Sequence, residues 1–246
     1  MPKLLTSVAP TQRARVPKGQ RIYAVGDIHG CADLLANLFD RVDDDIRLRP
    51  ASNILQVFLG DYIDRGPDSR QVLDLLIARQ RGTDAVFLKG NHEDFAIRFL
   101  KDPTILTQWK NIGGLNTVAS YGVATTNYRE ARSQRAMAVA LRLSMPADHL
   151  DFLRGLNLSF TCGDFFFAHA GVRPGVALEK QNPHDLLWIR DDFLLHEEDF
   201  GKVVVHGHTP SHEPVVRHNR INIDTGAYAT GRLTCLVLED DKMGFL

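Results

Sequence analysis

Five short apolar runs in this chain end the same way, in a turn that carries glycine together with Asp, Asn or His. Arg21–Val25 leads into Gly26-Asp27-Ile28-His29-Gly30, and Ile54–Leu59 into Gly60-Asp61-Tyr62-Ile63-Asp64-Arg65-Gly66. Ala85–Leu88 precedes Gly90-Asn91-His92-Glu93, Phe165–Ala168 precedes His169-Ala170-Gly171, and Lys202–Val205 precedes His206-Gly207-His208-Thr209. Short apolar runs bounded by such turns read as buried strands. In open α/β sheets, ligands bind beyond the carboxyl ends of the strands. The five turns are therefore expected to converge on one site.

Between the first three runs the apolar period changes from that of a strand to that of a helix. Leu34, Leu35, Leu38, Phe39 and Val42 share one helical face, and Ser69–Arg79 repeats the pattern with Val72, Leu73, Leu75, Leu76 and Ile77. A third helix is expected over Glu93–Leu100. The first half thus reads as βαβαβ around a parallel sheet. Residues 101–155 hold helical stretches at Arg129–Leu143 and Ala147–Leu153 and a Gly-rich stretch, NIGGLNTVASYG, at 111–122. They read as a mostly helical insertion packed on the α/β core. Further strands are expected at Leu156–Thr161, Val215–Arg217, Arg220–Ile223 and Leu233–Glu239, with antiparallel hairpins at the short turns Cys162-Gly163-Asp164 and His218-Asn219. One domain over 20–246 follows, with 1–19 as a poorly ordered tail.

Composition narrows the functions. A chain of 246 residues, 44% hydrophobic, suits one large domain. A net charge of -1 supplies no field that marks a nucleic-acid or membrane binder. Three distant cysteines without a CxxC pair suggest neither a disulfide framework nor a thiolate zinc site, and fit a reducing compartment. No signal peptide or membrane-length apolar run is evident. The expectation is a cytoplasmic protein, with a monomer as the default state.

The strand-end residues suggest metal chemistry. Asp and His without Cys suit manganese, iron or zinc. A pair of metals needs one bridging carboxylate and separate ligands on either side. Asp27 and His29, two apart along an extended segment, can point the same way and hold one ion. Asn91, His169 and one of His206 or His208 can hold the other, with Asp61 between them. Each motif alone has an ordinary explanation: turns favour Asp and Gly, Asn91 can cap a helix, and a buried histidine is common. Their joint occurrence is what ordinary turns do not require.

GDIHG, GDYIDRG, GNHE, HAG and HGHT, in this order, resemble the PPP-family serine/threonine phosphatases of the calcineurin-like metallophosphoesterase superfamily, in their bacterial and bacteriophage form. Leu187-Trp188-Ile189-Arg190, Gly207-His208-Thr209-Pro210 and Ile223-Asp224-Thr225-Gly226-Ala227 extend the likeness, which covers about residues 21–240. It implies a central β-sandwich of mixed sheets flanked by helices (α/β/β/α). It also implies two divalent cations, with manganese first and iron or zinc as alternatives. Asp27 and His29 would hold one, Asn91, His169 and His208 the other, and Asp61 would bridge. His206 would be a supporting or packing residue, and Pro210 stands where the wider superfamily has another histidine.

The same resemblance makes His92 the general acid, oriented by Asp64, and Arg65 and Arg190 the phosphate-binding arginines, with Asn91 and His92 beside the phosphate. The implied reaction is direct attack by a metal-bridging hydroxide on a phosphorylated protein or small phosphoester. A symmetrical diadenosine tetraphosphate hydrolase is the enzymatic alternative, and a catalytically silent metal-binding signalling module the non-enzymatic one. Arg98, Lys101, Trp109 and Lys110 in the insertion are candidate substrate contacts.

Overall fold

The computed structural model describes residues 14–126 and 129–246. Strands β1 (Gln20–Val25), β2 (Asn53–Phe58) and β3 (Ala85–Phe87) are joined by helices α1 (Ala32–Leu48) and α2 (Ser69–Gly82). The strands pair in parallel, Ala24 opposite Val57 and Val57 opposite Val86. β9 (Cys235–Glu239) pairs antiparallel with β1, and β10 (Lys242–Phe245) with β9, giving the order β10-β9-β1-β2-β3. The second sheet contains β4 (Ser159–Cys162), β5 (Phe165–Ala168), β6 (Val203–His206), β7 (Val215–Val216) and β8 (Arg220–Asn222), in the order β4-β5-β6-β8-β7. Its middle strands β5, β6 and β8 are parallel, and the outer pairs are antiparallel.

Side-chain alternation along each strand creates three apolar layers. Ile22 and Ala24 of β1, Leu236 and Leu238 of β9, Phe165 and Phe167 of β5 and Val205 of β6 meet between the sheets. The alternate residues Tyr23, Val25, Phe58 and Val237 face the larger helical layer. On the far side, Phe166, Ala168 and Val204 meet Leu186 of α8 (Pro183–Trp188) and Phe193 of α9 (Asp191–Leu194). The result is the α/β/β/α sandwich expected from the sequence. The helices of the 101–155 region, α4 (Leu106–Trp109), α5 (Gly114–Ser120), α6 (Ala131–Ser144) and α7 (Ala147–Arg154), place Trp109, Val118, Leu141 and Phe152 in the same apolar layer as α1 and α2.

Several boundaries differ from the sequence reading. Helix α3 (Asn91–Phe99) starts two residues ahead of Glu93, so Asn91 and His92 occupy its first turn. The Gly-rich stretch contains helix α5, entered through Gly113 in a left-handed conformation. The strand expected from Leu156 starts at Ser159, because Leu156 packs with the helices and the Asn157 N–H donates to the Phe87 carbonyl. β10 was not expected at all. Residues 1–13 of the expected tail lie outside the described residues. Val16, by contrast, is buried between the sheets, and its N–H donates to the Asp240 carbonyl at 3.0 Å. Among the described residues no helix is long and apolar enough to cross a membrane.

Candidate active site

Because β1, β2 and β3 run in parallel, as do β5, β6 and β8, all six present carboxyl ends. The turns after five of them carry the residues singled out in the sequence. The turn after β8 adds Asp224, which is buried. Of the six non-glycine residues with left-handed φ among the described residues, five lie in these turns: His29, Asp61, Asp64, Arg65 and His208. L-residues hold this conformation at a cost, and such strain gathers where function over-determines the backbone.

Asp61 is the centre of the arrangement. His169 Nε2 lies 3.3 Å from its Oδ1, and His29 and His92 Nε2 each lie 3.6 Å from its Oδ2. The opposite ring nitrogens are tied down. His29 Nδ1 faces the Ile63 carbonyl at 3.0 Å, His169 Nδ1 the Leu59 carbonyl at 3.0 Å, and His92 Nδ1 the Asp64 carboxylate at 2.7 Å. A carbonyl can only accept, so in His29 and His169 a proton belongs on Nδ1, and Nε2 is the atom aimed at Asp61, where it can hold a proton or a cation. An imidazole nitrogen and a carboxylate oxygen this close repel unless a proton or a metal cation stands between them.

The electrostatics carry the same signature. Burial would lower the His169 imidazole, but Asp61 pushes it up to about 10. Asp61 itself, despite burial, is held well below the carboxylate range by His169 and His92. Burial holds His29 down to about 3 and His208 down to about 2. The Asp27 carboxyl is pushed well up by burial and by Asp224. Its Oδ2 accepts the His208 N–H at 3.0 Å, and its Oδ1 is buried without a partner.

Among the described residues, two groups of His and carboxylate donor atoms lie within 4.8 Å of one another, His29 with Asp61 and His92, and Asp61 with His169 and His208. Asp61 belongs to both. The first differs from the expected set in one member, His92 standing where Asp27 was expected. His29 has φ 48°, so the backbone is left-handed there rather than extended. Asn91 Oδ1 lies 3.0 Å from His169 Nε2. His206 is in neither group; it is buried edge-on against Phe193, ring centroids 4.9 Å apart.

The two arginines sit at the rim. Arg190, exposed in the break between α8 and α9, donates from Nε to His208 Nε2 at 3.2 Å. Arg65 donates from Nη1 to the Tyr228 hydroxyl, its Cζ 4.6 Å from that ring's centroid. Tyr228, 42% exposed, also meets His29 edge-on at 5.4 Å. Of the candidate substrate contacts, Arg98 pairs with Asp94 at 3.5 Å. Trp109 is fully buried and cannot touch substrate; a large aromatic beside apolar helices is more profitably packed than exposed.

Glu93 received no role from the sequence. Its buried carboxylate accepts from four backbone N–H groups, those of Asp61 (2.9 Å), Gly90 (2.8 Å), Tyr62 (2.8 Å) and Ile63 (3.4 Å). Burial and the neighbouring Asp61 push its carboxyl up to about 7. It binds the start of α3 to the Asp61 turn, and Gly90 lets them meet, since a Cβ there would lie 2.1 Å from Asp61 Oδ1. A glycine followed three residues later by Glu was the readable signal, being half of a capping box. Glu93→Ala leaves these amides without their acceptor and is expected to cost about 3–5 kcal/mol. The check is the urea midpoint of metal-free protein; an unchanged midpoint would show that the amides are satisfied otherwise.

A family model described as calcineurin-like phosphoesterase matches residues 20–233. The chain belongs to that family. Among similar curated proteins, the asymmetrical bis(5'-nucleosyl)-tetraphosphatase PrpE of Anoxybacillus flavithermus is 29% identical over 234 residues, 86% of this phosphoesterase and 88% of the relative. The same-named protein of Bacillus velezensis is 29% identical over 231 residues, covering 85% and 86%. Among solved structures, a putative diadenosine tetraphosphatase superposes with a TM-score of 0.61 at 21% identity, covering 95% of this chain and 97% of its own. A serine/threonine phosphatase from Saccharomyces cerevisiae gives 0.56 at 15% identity, covering 93% and 79%. These likenesses establish the phosphoesterase fold. The curated relatives are named for nucleotide hydrolysis, not for phosphoprotein hydrolysis, and for the asymmetrical rather than the symmetrical cut.

Proposed function

We propose that this phosphoesterase hydrolyses a dinucleoside polyphosphate asymmetrically, at a pair of divalent cations held by Asp27, His29, Asp61, Asn91, His169 and His208. The observation that carries the metal reading is the convergence of imidazole Nε2 atoms on the two oxygens of one buried aspartate. The unpartnered Asp27 Oδ1 and a donor set of Asp, Asn and His fit the same cations, with manganese, iron and zinc as candidates. When bound, such cations supply Lewis acidity that activates water and neutralises phosphoryl oxygens. The chain's own residues do the rest. Arg65 and Arg190 grip phosphate oxygens, with the fork of a guanidinium suited to two at once. Asp64 holds His92, which delivers a proton to the departing oxygen. The substrate class rests on the near full-length curated relatives.

One observation favours a second reading, a serine/threonine phosphoprotein phosphatase. A leaving nucleotide departs readily as an anion, whereas an alkoxide needs protonation, and the buried His92–Asp64 pair is suited to supply it. A parallel assay separates the two. Metal-reconstituted enzyme is offered a dinucleoside tetraphosphate, phosphoserine, phosphothreonine and phosphotyrosine peptides, and an aryl phosphate. The highest kcat/KM is expected on the dinucleotide, with nucleoside triphosphate and monophosphate as products. Two equal diphosphates would overturn the asymmetrical cut, and preference for a phosphopeptide would establish the second reading.

A further inference from the structure

The segment Trp109–Thr117 belongs to the helical region, yet its polar groups converge on two residues of the β2 turn. Trp109 Nε1–H donates to Asp64 Oδ2 at 2.6 Å, and the Thr117 hydroxyl donates to Asp64 Oδ1. The Asp64 N–H donates back to Thr117 Oγ1 at 2.9 Å and to Ser69 Oγ at 3.0 Å. At the next residue, Arg65 N–H donates to the Gly113 carbonyl at 3.4 Å, and Asn116 Nδ2 donates to the Arg65 carbonyl. Asp64 and Arg65 both have left-handed φ, 71° and 66°. Gly113 is shaped for this approach: its φ is 102°, and a Cβ would lie 2.6 Å from Arg65 N.

A buried tryptophan N–H needs an acceptor, and a backbone carbonyl would satisfy it. Here it meets the carboxylate oxygen that also faces His92 Nδ1. With Oδ1 held by Thr117 and Oδ2 shared between Trp109 and His92, Asp64 has no rotation left to it. We infer that Trp109 and Thr117 are positioning residues for His92, fixing both oxygens of Asp64 so that the ring keeps its Nδ1–H and turns Nε2 toward the Asp61 side of the site. The inference rests on the reading of His92 as the group that protonates the leaving oxygen. Neither residue touches substrate; both act through Asp64.

The test compares Trp109→Phe, which keeps the ring and loses the N–H, with Thr117→Val and His92→Asn. Zinc-loaded proteins are assayed on aryl phosphates whose leaving groups range from strongly to weakly acidic, and the His92 ring is read by 1H–15N NMR. Both positioning variants are expected to lose about 10–100-fold on the poorest leaving group, and little on the best. The His92 Nδ1–H resonance is expected to move or vanish. The ratio across the series does not depend on the fraction of folded enzyme. A uniform loss, or none, with an unchanged His92 resonance overturns the inference. A uniform loss in His92→Asn overturns instead the reading of His92 as an acid, and the resonance still reports on the brace.

Discussion

Asp61→Asn is expected to abolish high-affinity binding of the metal pair and to lower turnover by about 10³-fold or more, the several kcal/mol that a cation contributes to phosphoryl transfer. The substitution is conservative in shape. Asparagine tolerates left-handed φ better than most residues, so the backbone at 51° is preserved. The amide oxygen can still accept the His92 N–H, which lies 3.2 Å from Oδ1 in the native turn. What disappears is the charge. With it goes the strongest of the charges that push the His169 imidazole up against its burial. The variant should therefore fold and stay metal-poor. Two measurements check this independently of activity: elemental analysis after dialysis, and the rise in Tm on adding Mn²⁺. At a hundredfold excess over Kd, binding to the native state alone is worth about 2.7 kcal/mol, a shift the variant should lack. Full metal content with the wild-type Tm response would remove Asp61 from the centre of the site.

The turns were legible in the sequence because each combines a strand's apolar run with a polar cluster that no turn needs, and parallel strands bring such ends together. The side-chain grouping inside the site was harder to read. A two-residue spacing was read with an extended backbone, whereas His29 has a left-handed φ that no local sequence signal announces. Asp224 was quoted only within a motif, although it follows directly on the expected strand Arg220–Ile223 and so carries the same strand-end signal as the other five turns. β10 escaped notice since Lys242–Phe245 lacks both a long apolar run and a clean alternation. Helix α5 hid behind Gly113 and Gly114, residues that weaken a helix from within but serve here at its entry. Trp109 is the sharpest case. Its partner lies 45 residues back in the chain, and nothing local distinguishes a tryptophan that packs from one that also positions a carboxylate.

His92→Asn separates the two roles that the geometry allows His92. Its Nε2 stands as far from Asp61 Oδ2 as that of His29, 3.6 Å in each case, so distance alone would make both of them ligands. The partner of the other ring nitrogen distinguishes them. His29 Nδ1 faces a neutral carbonyl, and burial holds that imidazole down to about 3, leaving an Nε2 lone pair free for a cation. His92 Nδ1 faces a carboxylate. Burial would lower its imidazole too, but Asp61 and Asp64 outweigh it and hold the ring above its ordinary value. A ring whose Nδ1–H is held by a carboxylate is the more basic at Nε2, so it is suited to carry a proton there and give it to a departing oxygen. The expected result is a fall in kcat of about 10²–10⁴, the usual worth of a general acid, with metal content unchanged. The fall should be greatest on substrates with the least acidic leaving groups. Loss of metal in step with activity would instead make His92 a ligand beside His29, and the proton for the leaving oxygen would have to come from elsewhere in the site.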